Sequence, residues 1–292
     1  MLAQQLVNGL MLGSVYALVA VAFTFTMGVL RFLNFSIPGI FMVAGMVTWA
    51  MLKGGLSLLL AVPAALALGA VLSYAVERLT YPQMRGGDHF IPLVSSMAFL
   101  ILFENLVLVV WGSDQQRLAL PFESVSAHVG GVVIGVPQLV GLAIAVGAVW
   151  LLDLVLKRTR VGRGLRAIAE DAETATILGV SVGRVVPVVF LIGGVFTALA
   201  GVLFALNYQQ ASPFMGEEVA LKGVSAMVLG GMGNIWGAIL GGLVIGVVET
   251  AAIHWFGART VDIWVYGLLL VILFVRPTGL LASTLGEREG VR

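Results

Sequence analysis

Few residues in this chain of 292 have the types and spacing that chemistry requires. The three histidines, His89, His128 and His254, lie far apart in sequence and in no ligand spacing, so no metal site is assigned. There is no cysteine. That excludes a disulfide framework, a thiolate metal site and a cysteine nucleophile. Lys53, Lys157 and Lys222 all lack the glycine context of a phosphate-cradling loop, so the chain cannot be its own P-loop ATPase. No zinc-protease motif or pair of facing carboxylates occurs, and no catalytic residue is assigned.

What remains are isolated charges in apolar surroundings. Glu104 interrupts an apolar run, and Asp153 and Glu249 stand near the ends of others. A charge at the centre of a bilayer costs about 2.5–3.5 kcal/mol on insertion scales. Glu104 must therefore face protein or water, or carry a proton. A proton relay needs a chain of partners, and none is visible. A packing contact with a neighbour such as Asn105 is the expected reading.

The segment 157–184 is the most informative. It holds Lys157, Arg158, Arg160, Arg163, Arg166 and Arg184, six of the sixteen basic residues. Leu165, Ile168, Ala169, Ala172 and Ala175 or Thr176 follow helical spacing and form one apolar stripe. Gly179 after Leu178 suits a left-handed helix end, with Val180 as its apolar partner. The pattern predicts one short amphipathic helix over about 163–178. Arg163 and Arg166 fall at its N-terminal end, where the helix dipole disfavours cations. Two accounts stand at this point. The arginines hold anionic lipid headgroups, or the small-residue stripe docks into a groove on a soluble partner.

Two further clusters set an asparagine and a helix breaker inside apolar runs. One reads Leu33-Asn34-Phe35-Ser36-Ile37-Pro38-Gly39, the other Gly230-Gly231-Met232-Gly233-Asn234. Interrupted segments in two halves of a membrane protein point to a transport pathway. Asn34, Ser36, Gly231 and Asn234 are the pathway candidates. For any single one of the 37 glycines, close helix packing is the better reading.

The elements that must position these residues follow from composition. Hydrophobic residues make up 60% of the chain and charged ones 11%, with mean hydropathy +1.05. Soluble domains run near 45–50% apolar and about 25% charged. An ordinary cytosolic enzyme, a disordered chain and a nucleic-acid binder are excluded. The net charge of +1 names no partner. The uncharged runs predict roughly eight membrane helices. They are centred on 7–29, 33–52, 55–76, 90–111, 136–156, 186–207, 224–248 and 261–275. Backbone satisfaction in lipid allows only helices or a closed barrel, and these runs are too long and too little alternating for barrel strands. The fold class is an all-α transmembrane bundle. The N-terminus lacks the basic region of a cleaved signal, so the first apolar run is expected to remain as a span.

Basic residues mark the cytoplasmic side. The 157–184 and 77–89 loops are then inside. Residues 112–135, with Asp114, Arg117 and Glu123, and residues 208–222, with Glu217 and Glu218, are outside. Eight plain crossings conflict with the tail, where Arg276, Arg288 and Arg292 favour the inside. A broken or re-entrant segment within 212–250 would repair the parity, giving eight to ten crossings.

At the basic loop the sequence resembles a known family. Arg158-Thr-Arg-Val-Gly-Arg-Gly-Leu-Arg-Ala-Ile-Ala-Glu-Asp171, with Ala175 and Leu178-Gly179, is similar to the cytoplasmic loop of branched-chain amino-acid ABC permeases of the LivH type. Leu33-Asn34-Phe35 leading to Gly39 agrees with that family. So do the 230–234 cluster with Gly237-Ala238 and Gly241-Gly242, and Arg276-Pro277-Thr278-Gly279-Leu280. The four stretches stand in register over nearly the whole chain.

The resemblance implies a single transmembrane permease domain over 1–292, multi-pass in the bacterial inner membrane. It implies a second permease subunit of paralogous sequence, two cytoplasmic ABC ATPase subunits, and a periplasmic or extracellular substrate-binding protein. No cofactor would be bound by this chain, and ATP would sit on the partners. The loop helix would couple the ATPases, through Gly162, Arg163, Arg166, Ala167, Asp171, Ala175, Leu178 and Gly179. One departure is the stretch Ser36-Ile37-Pro38-Gly39, where family members often carry an Ala-His-Gly-like run. That leaves other small substrates open beside branched-chain amino acids. Two rivals remain. A self-contained channel for a small neutral solute such as urea or an amide has no use for the basic loop. An ion-coupled transporter needs intramembrane carboxylates on its path, and Glu104 stands alone.

Overall fold

Backbone amides have no water to bond in lipid, so an apolar chain satisfies them within helices. The computed structural model describes residues 2–80, 90–118, 126–129 and 132–281. Its helices are α1 (Leu2–Leu30), α2 (Ser36–Lys53), α3 (Leu58–Thr80), α4 (Phe90–Trp111), α5 (Val136–Arg158), α6 (Arg160–Glu170), α7 (Ala172–Ile177), α8 (Val182–Tyr208), α9 (Met215–Gly230), α10 (Ile235–Phe256) and α11 (Val261–Val275). Eight are long and apolar enough to cross a membrane. Two small ribbons complete the fold. β1 (Gln116–Arg117) pairs antiparallel with β4 (Gln210–Ala211), and β2 (Ser126–Val129) with β3 (Val132–Gly135).

The bundle is built around α1. Its residues Met11–Thr26 are buried without interruption, as expected of a helix that is apolar all round. It packs on α10, α8, α9 and α5. The α1–α10 crossing is close because four glycines meet there. A Cβ on Gly246 would overlap the backbone of Gly13, and one on Gly242 the backbone of Ala17. Without a hydrophobic force between helices in lipid, such small-residue contacts supply the packing. The α3–α8 contact uses Gly69 and Gly194 similarly, and Ser73 Oγ donates to Phe190 O at 2.6 Å. An outer layer of α3, α4, α5 and α11 turns large apolar side chains outward, among them Leu59, Val109 and Phe274.

The chain departs from the predicted crossings in one place. Residues 224–248 do not form a single span. The Gly231–Asn234 turn divides them into α9 and α10, with Gly231 at φ +107° and Gly233 at φ +84°. A β-carbon is strained at both angles, so glycine is needed to reverse the chain this tightly. α9 has sixteen residues, about 24 Å of helix, less than the roughly 30 Å of a hydrocarbon core. It adds a ninth alternating helix among the described residues. That brings the chain after α11 to the end of the bundle carrying α6 and α7. There Leu280 N donates to Leu229 O at 2.8 Å and Leu281 N to Gly230 O at 3.0 Å. The parity conflict is thereby removed. Arg288, Arg292 and the 81–89 part of the predicted inner loop lie outside the described residues.

Candidate functional site

The two ends of the bundle differ. The basic end carries α6 and α7, and its geometry is set locally. Thr159 caps α6: its Oγ1 accepts from Gly162 N at 3.0 Å and donates to Val155 O at 2.7 Å. Gly162 is pressed on the last turn of α5, where a Cβ would overlap Leu156. The membrane helix thus turns into α6 within two residues. Leu165 and Ile168 point inward and are buried, while Arg160, Arg163 and Arg166 are exposed.

The predicted single helix over 163–178 is two helices. Asp171 leaves the helical conformation, at φ −155° and ψ 111°, ending α6 and starting α7. Its Oδ1 accepts from Glu173 N at 2.9 Å and Thr174 N at 3.3 Å, and Thr174 Oγ1 donates to Oδ2 at 2.6 Å. An aspartate is a strong N-cap, and here capping α7 outcompetes continuing α6. The Thr174 hydroxyl, then the two amides, hold its carboxyl below the usual aspartate range, with a smaller contribution from Arg31. The predicted left-handed end is present. Gly179 has φ +89°, and Val180 N donates to Ala175 O at 2.9 Å.

Of the eight residues expected to form the coupling contact, Gly162 and Ala175 are buried and Ala167 is half-buried. Arg163, Arg166, Asp171, Leu178 and Gly179 are exposed. Ile177 and Leu178 are 81% and 76% exposed. Two bare aliphatic side chains therefore stand beside a row of arginines. The sequence reasoning missed Arg31. It sits in the left-handed region at φ +58°, and its guanidinium donates to Glu170 O, the last carbonyl of α6, at 3.1 Å. A cation there complements the helix dipole. It also ties the α1–α2 connection to the α6–α7 corner.

The four pathway candidates fall into two pairs. Asn34 Oδ1 accepts from Ser36 N at 3.0 Å and Ser36 Oγ at 2.7 Å, so both side chains serve the buried start of α2. Gly231 ends α9. Asn234 caps α10 by accepting from Gly237 N at 3.1 Å, and its amide donates to Leu281 O at 3.1 Å. Beside this second pair lies a cavity of about 300 Å³ lined by Thr24, Gly28, Leu165, Arg166, Met232 and Gly233. Glu104 is half-buried on α4. Asn105 does not serve it: that amide donates to Ile101 O at 2.8 Å.

At the far end, β1 and β4 join the α4–α5 and α8–α9 connections, and Trp49 Nε1 donates to Arg117 O at 3.1 Å. Glu217 and Glu218 are exposed in the first turn of α9. Deeper lies an ion pair that the sequence reasoning did not assemble. Lys222 Nζ of α9 meets Glu249 Oε1 of α10 at 2.5 Å, and Tyr16 of α1 donates to Glu249 Oε2 at 2.8 Å. Lys222 was weighed only as a phosphate ligand and Glu249 only as a charge near a span end. Their separation of 27 residues held no local signal.

Alternating apolar helices around α1, with an amphipathic corner projecting from one end, define an integral multi-pass membrane protein. The family described as the branched-chain amino acid transport system permease component matches residues 5–275, and the chain belongs to it. It is 34% identical to the high-affinity branched-chain amino acid transport system permease protein BraD of Pseudomonas aeruginosa, over 95% of each chain. It is 31% identical to LivH of Salmonella typhimurium, over 95% of this chain and 94% of that one. Among solved structures, an inward-facing putative metal-chelate type ABC transporter superposes with TM-score 0.54 at 15% identity, over 94% of this chain and 85% of that one. That likeness bears on the fold alone. The chain is a permease subunit of an ABC importer and not an enzyme, with ATP hydrolysis in separate subunits.

Proposed function

We propose that the chain imports branched-chain or other small amino acids across the bacterial inner membrane. In this reading it pairs with a second, paralogous permease subunit and two cytoplasmic ABC ATPases. A periplasmic or extracellular binding protein delivers the substrate to the far end, around Asp114, Arg117, Glu217 and Glu218. No cofactor sits on this chain, and lipid covers the outward apolar face of α3, α4, α5 and α11.

The observation that carries the reading is the α6–α7 corner. Ile177 and Leu178 are bare at its tip, flanked by Arg163 and Arg166, while Leu165 and Ile168 anchor it to the bundle. An aliphatic tip that reaches beyond the spans suits a groove on a soluble partner better than water. Lipid headgroups alone would need only the arginines. ATP-driven closure of the ATPases would push this corner as a unit. The Arg31–Glu170 contact and the Gly162 turn would pass the displacement to α1 and α5, and the bundle would switch its open side. The few polar groups in the spans fit a permease that leaves recognition chiefly to a binding protein.

The reading is tested in the reconstituted complex by Arg166→Glu and Asp171→Lys. Both are expected to lower amino-acid uptake per ATP hydrolysed while the subunits still co-purify. Uptake and hydrolysis that stay coupled in both variants would remove the corner from the mechanism. Amino-acid flux through the purified chain alone would replace the importer reading with a channel.

A further inference from the structure

Glu249, the acidic partner of Lys222, lines a cavity of about 480 Å³ among the first turns of α1 and the last turns of α8 and α10. That volume lies within the range of small-molecule sites, about 300–1,000 Å³. A buried ion pair is weak evidence for stability, because an apolar pair of similar size commonly replaces it without loss. Ionisable groups within spanning helices are by default functional. The inside of this cavity indicates which function.

Glu249 lines the cavity and is 7% exposed. A carboxylate offers about four acceptor positions. Lys222 and Tyr16 each fill one, on different oxygens. Asn207 lines the same cavity, and its Oδ1 is buried with no hydrogen-bond partner. An orphaned acceptor beside an incompletely filled carboxylate asks for a donor with several hydrogens. An ammonium group has three such hydrogens. Met11, Leu12 and Ile253 add apolar surface to a lining that also holds Gln5, Tyr208 and Thr250. The amide of Asn8 lies on the wall and can donate, its Oδ1 being engaged by Gln4 at 3.1 Å.

We propose that this cavity receives an α-amino acid at the far end of the bundle, its ammonium group between Glu249 and Asn207 and its aliphatic side chain against Met11, Leu12 and Ile253. Lys222 and Tyr16 are positioning residues. They balance the charge of Glu249 and fix its orientation. The inference rests on the amino-acid importer reading and adds to it a selection step within the permease, for the amine rather than the side chain. A hydroxy acid of the same shape would leave Asn207 Oδ1 and Glu249 without their donor, and would be refused on that account.

The chain has no cysteine, so Ile253→Cys, at a position 45% exposed, provides a single reporter on it. In the complete reconstituted transporter, the rate at which a cationic methanethiosulfonate modifies this cysteine is read by mass spectrometry of this chain. L-leucine is expected to slow the reaction about tenfold, the loss of one charge-assisted contact being of that order. Its 2-hydroxy analogue, 2-hydroxy-4-methylpentanoate, should leave the rate unchanged. Asn207→Leu should abolish the protection, and so should Lys222→Met combined with Glu249→Gln, which keeps the site neutral. Equal protection by the hydroxy acid, or protection that survives in the assembled variants, overturns the site. ATP-driven leucine uptake without protection in the transporter carrying only Ile253→Cys overturns the site and leaves the importer reading standing. Absence of both uptake and protection overturns the two together.

Discussion

The two ends of this bundle solve different problems with the same few polar residues. At the basic end every polar contact of the α6–α7 corner except one is made within a few positions of chain: Thr159 with Gly162, and Asp171 with Glu173 and Thr174. At the far end the contacts run between different helices, Tyr16 with Glu249 and Lys222 with Glu249. Short-range caps let the corner keep its shape while exposed. Long-range pairs fix α1, α9 and α10 to one another and leave an incompletely filled carboxylate at a cavity. On the two proposals above, the basic end would transmit force and the far end would discriminate.

Breaking the far-end pair should have the largest effect on stability. Glu249→Leu leaves the half-buried Lys222 without its carboxylate and is expected to cost at most about 3–5 kcal/mol, whereas Glu249→Leu with Lys222→Met recovers most of the loss. Thermal unfolding in lipid nanodiscs reads both. Equal losses in the single and double variants would mean that the pair is not what joins these helices. The next effect belongs to the basic end. Gly162→Val drives a side chain into Leu156 and should cost about 1–3 kcal/mol. Gly147→Val, where nothing lies within 4 Å, should stay within about 0.5 kcal/mol.

Asp171 gives a smaller, pH-dependent effect. Its folded pKa lies below the ordinary 3.8, so its contribution is present above that value. It is lost as pH falls through the lowered one. Amide exchange at Glu173 and Thr174 should accelerate, relative to neighbouring amides, over that acidic window. Asp171→Ala should remove the pH dependence. The smallest effect on the isolated chain is expected from Leu178→Asp, an exposed position, at about 0.5 kcal/mol or less. The same variant should sharply lower recovery of the ATPase subunits on affinity purification. Undiminished recovery would move the docking surface elsewhere.

This contrast also explains what was legible in the sequence. Span existence followed from uninterrupted apolar runs, and the Gly179 helix end followed from a glycine with an apolar successor, because both signals are local. The break at Asp171 was local too. An unbroken apolar stripe concealed it, although an aspartate with a threonine three residues on is a cap in plain view. The division of 224–248 was announced by Gly231, Gly233 and Asn234, but periodicity could not show that the half before the break extends back to Met215, through Glu217, Glu218 and Lys222. Those three charges made α9 look like a loop. One of them, Lys222, is neutralised by a residue in the following helix. A sequence read one segment at a time has no means of supplying that partner. Arg31 was hidden for the same reason, since its acceptor is a backbone carbonyl 139 residues away.

The bond between Leu280 and the end of α9 has a consequence for biosynthesis. The carbonyls of Leu229 and Gly230 are satisfied by amides some fifty positions further along the chain, and the amide of Asn234 by the carbonyl of Leu281. None of these bonds can form while the ribosome is still making α10 or α11. Until residue 281 has emerged, α9 is a short helix carrying charges, with an unfinished end and no register of its own. The order of synthesis therefore makes the half-length helix the last to be committed, closed by the same Arg-Pro-Thr-Gly-Leu stretch that ends the final span. A nascent chain stopped at Val275 would hold every long apolar helix and still lack the clasp that seats the ninth.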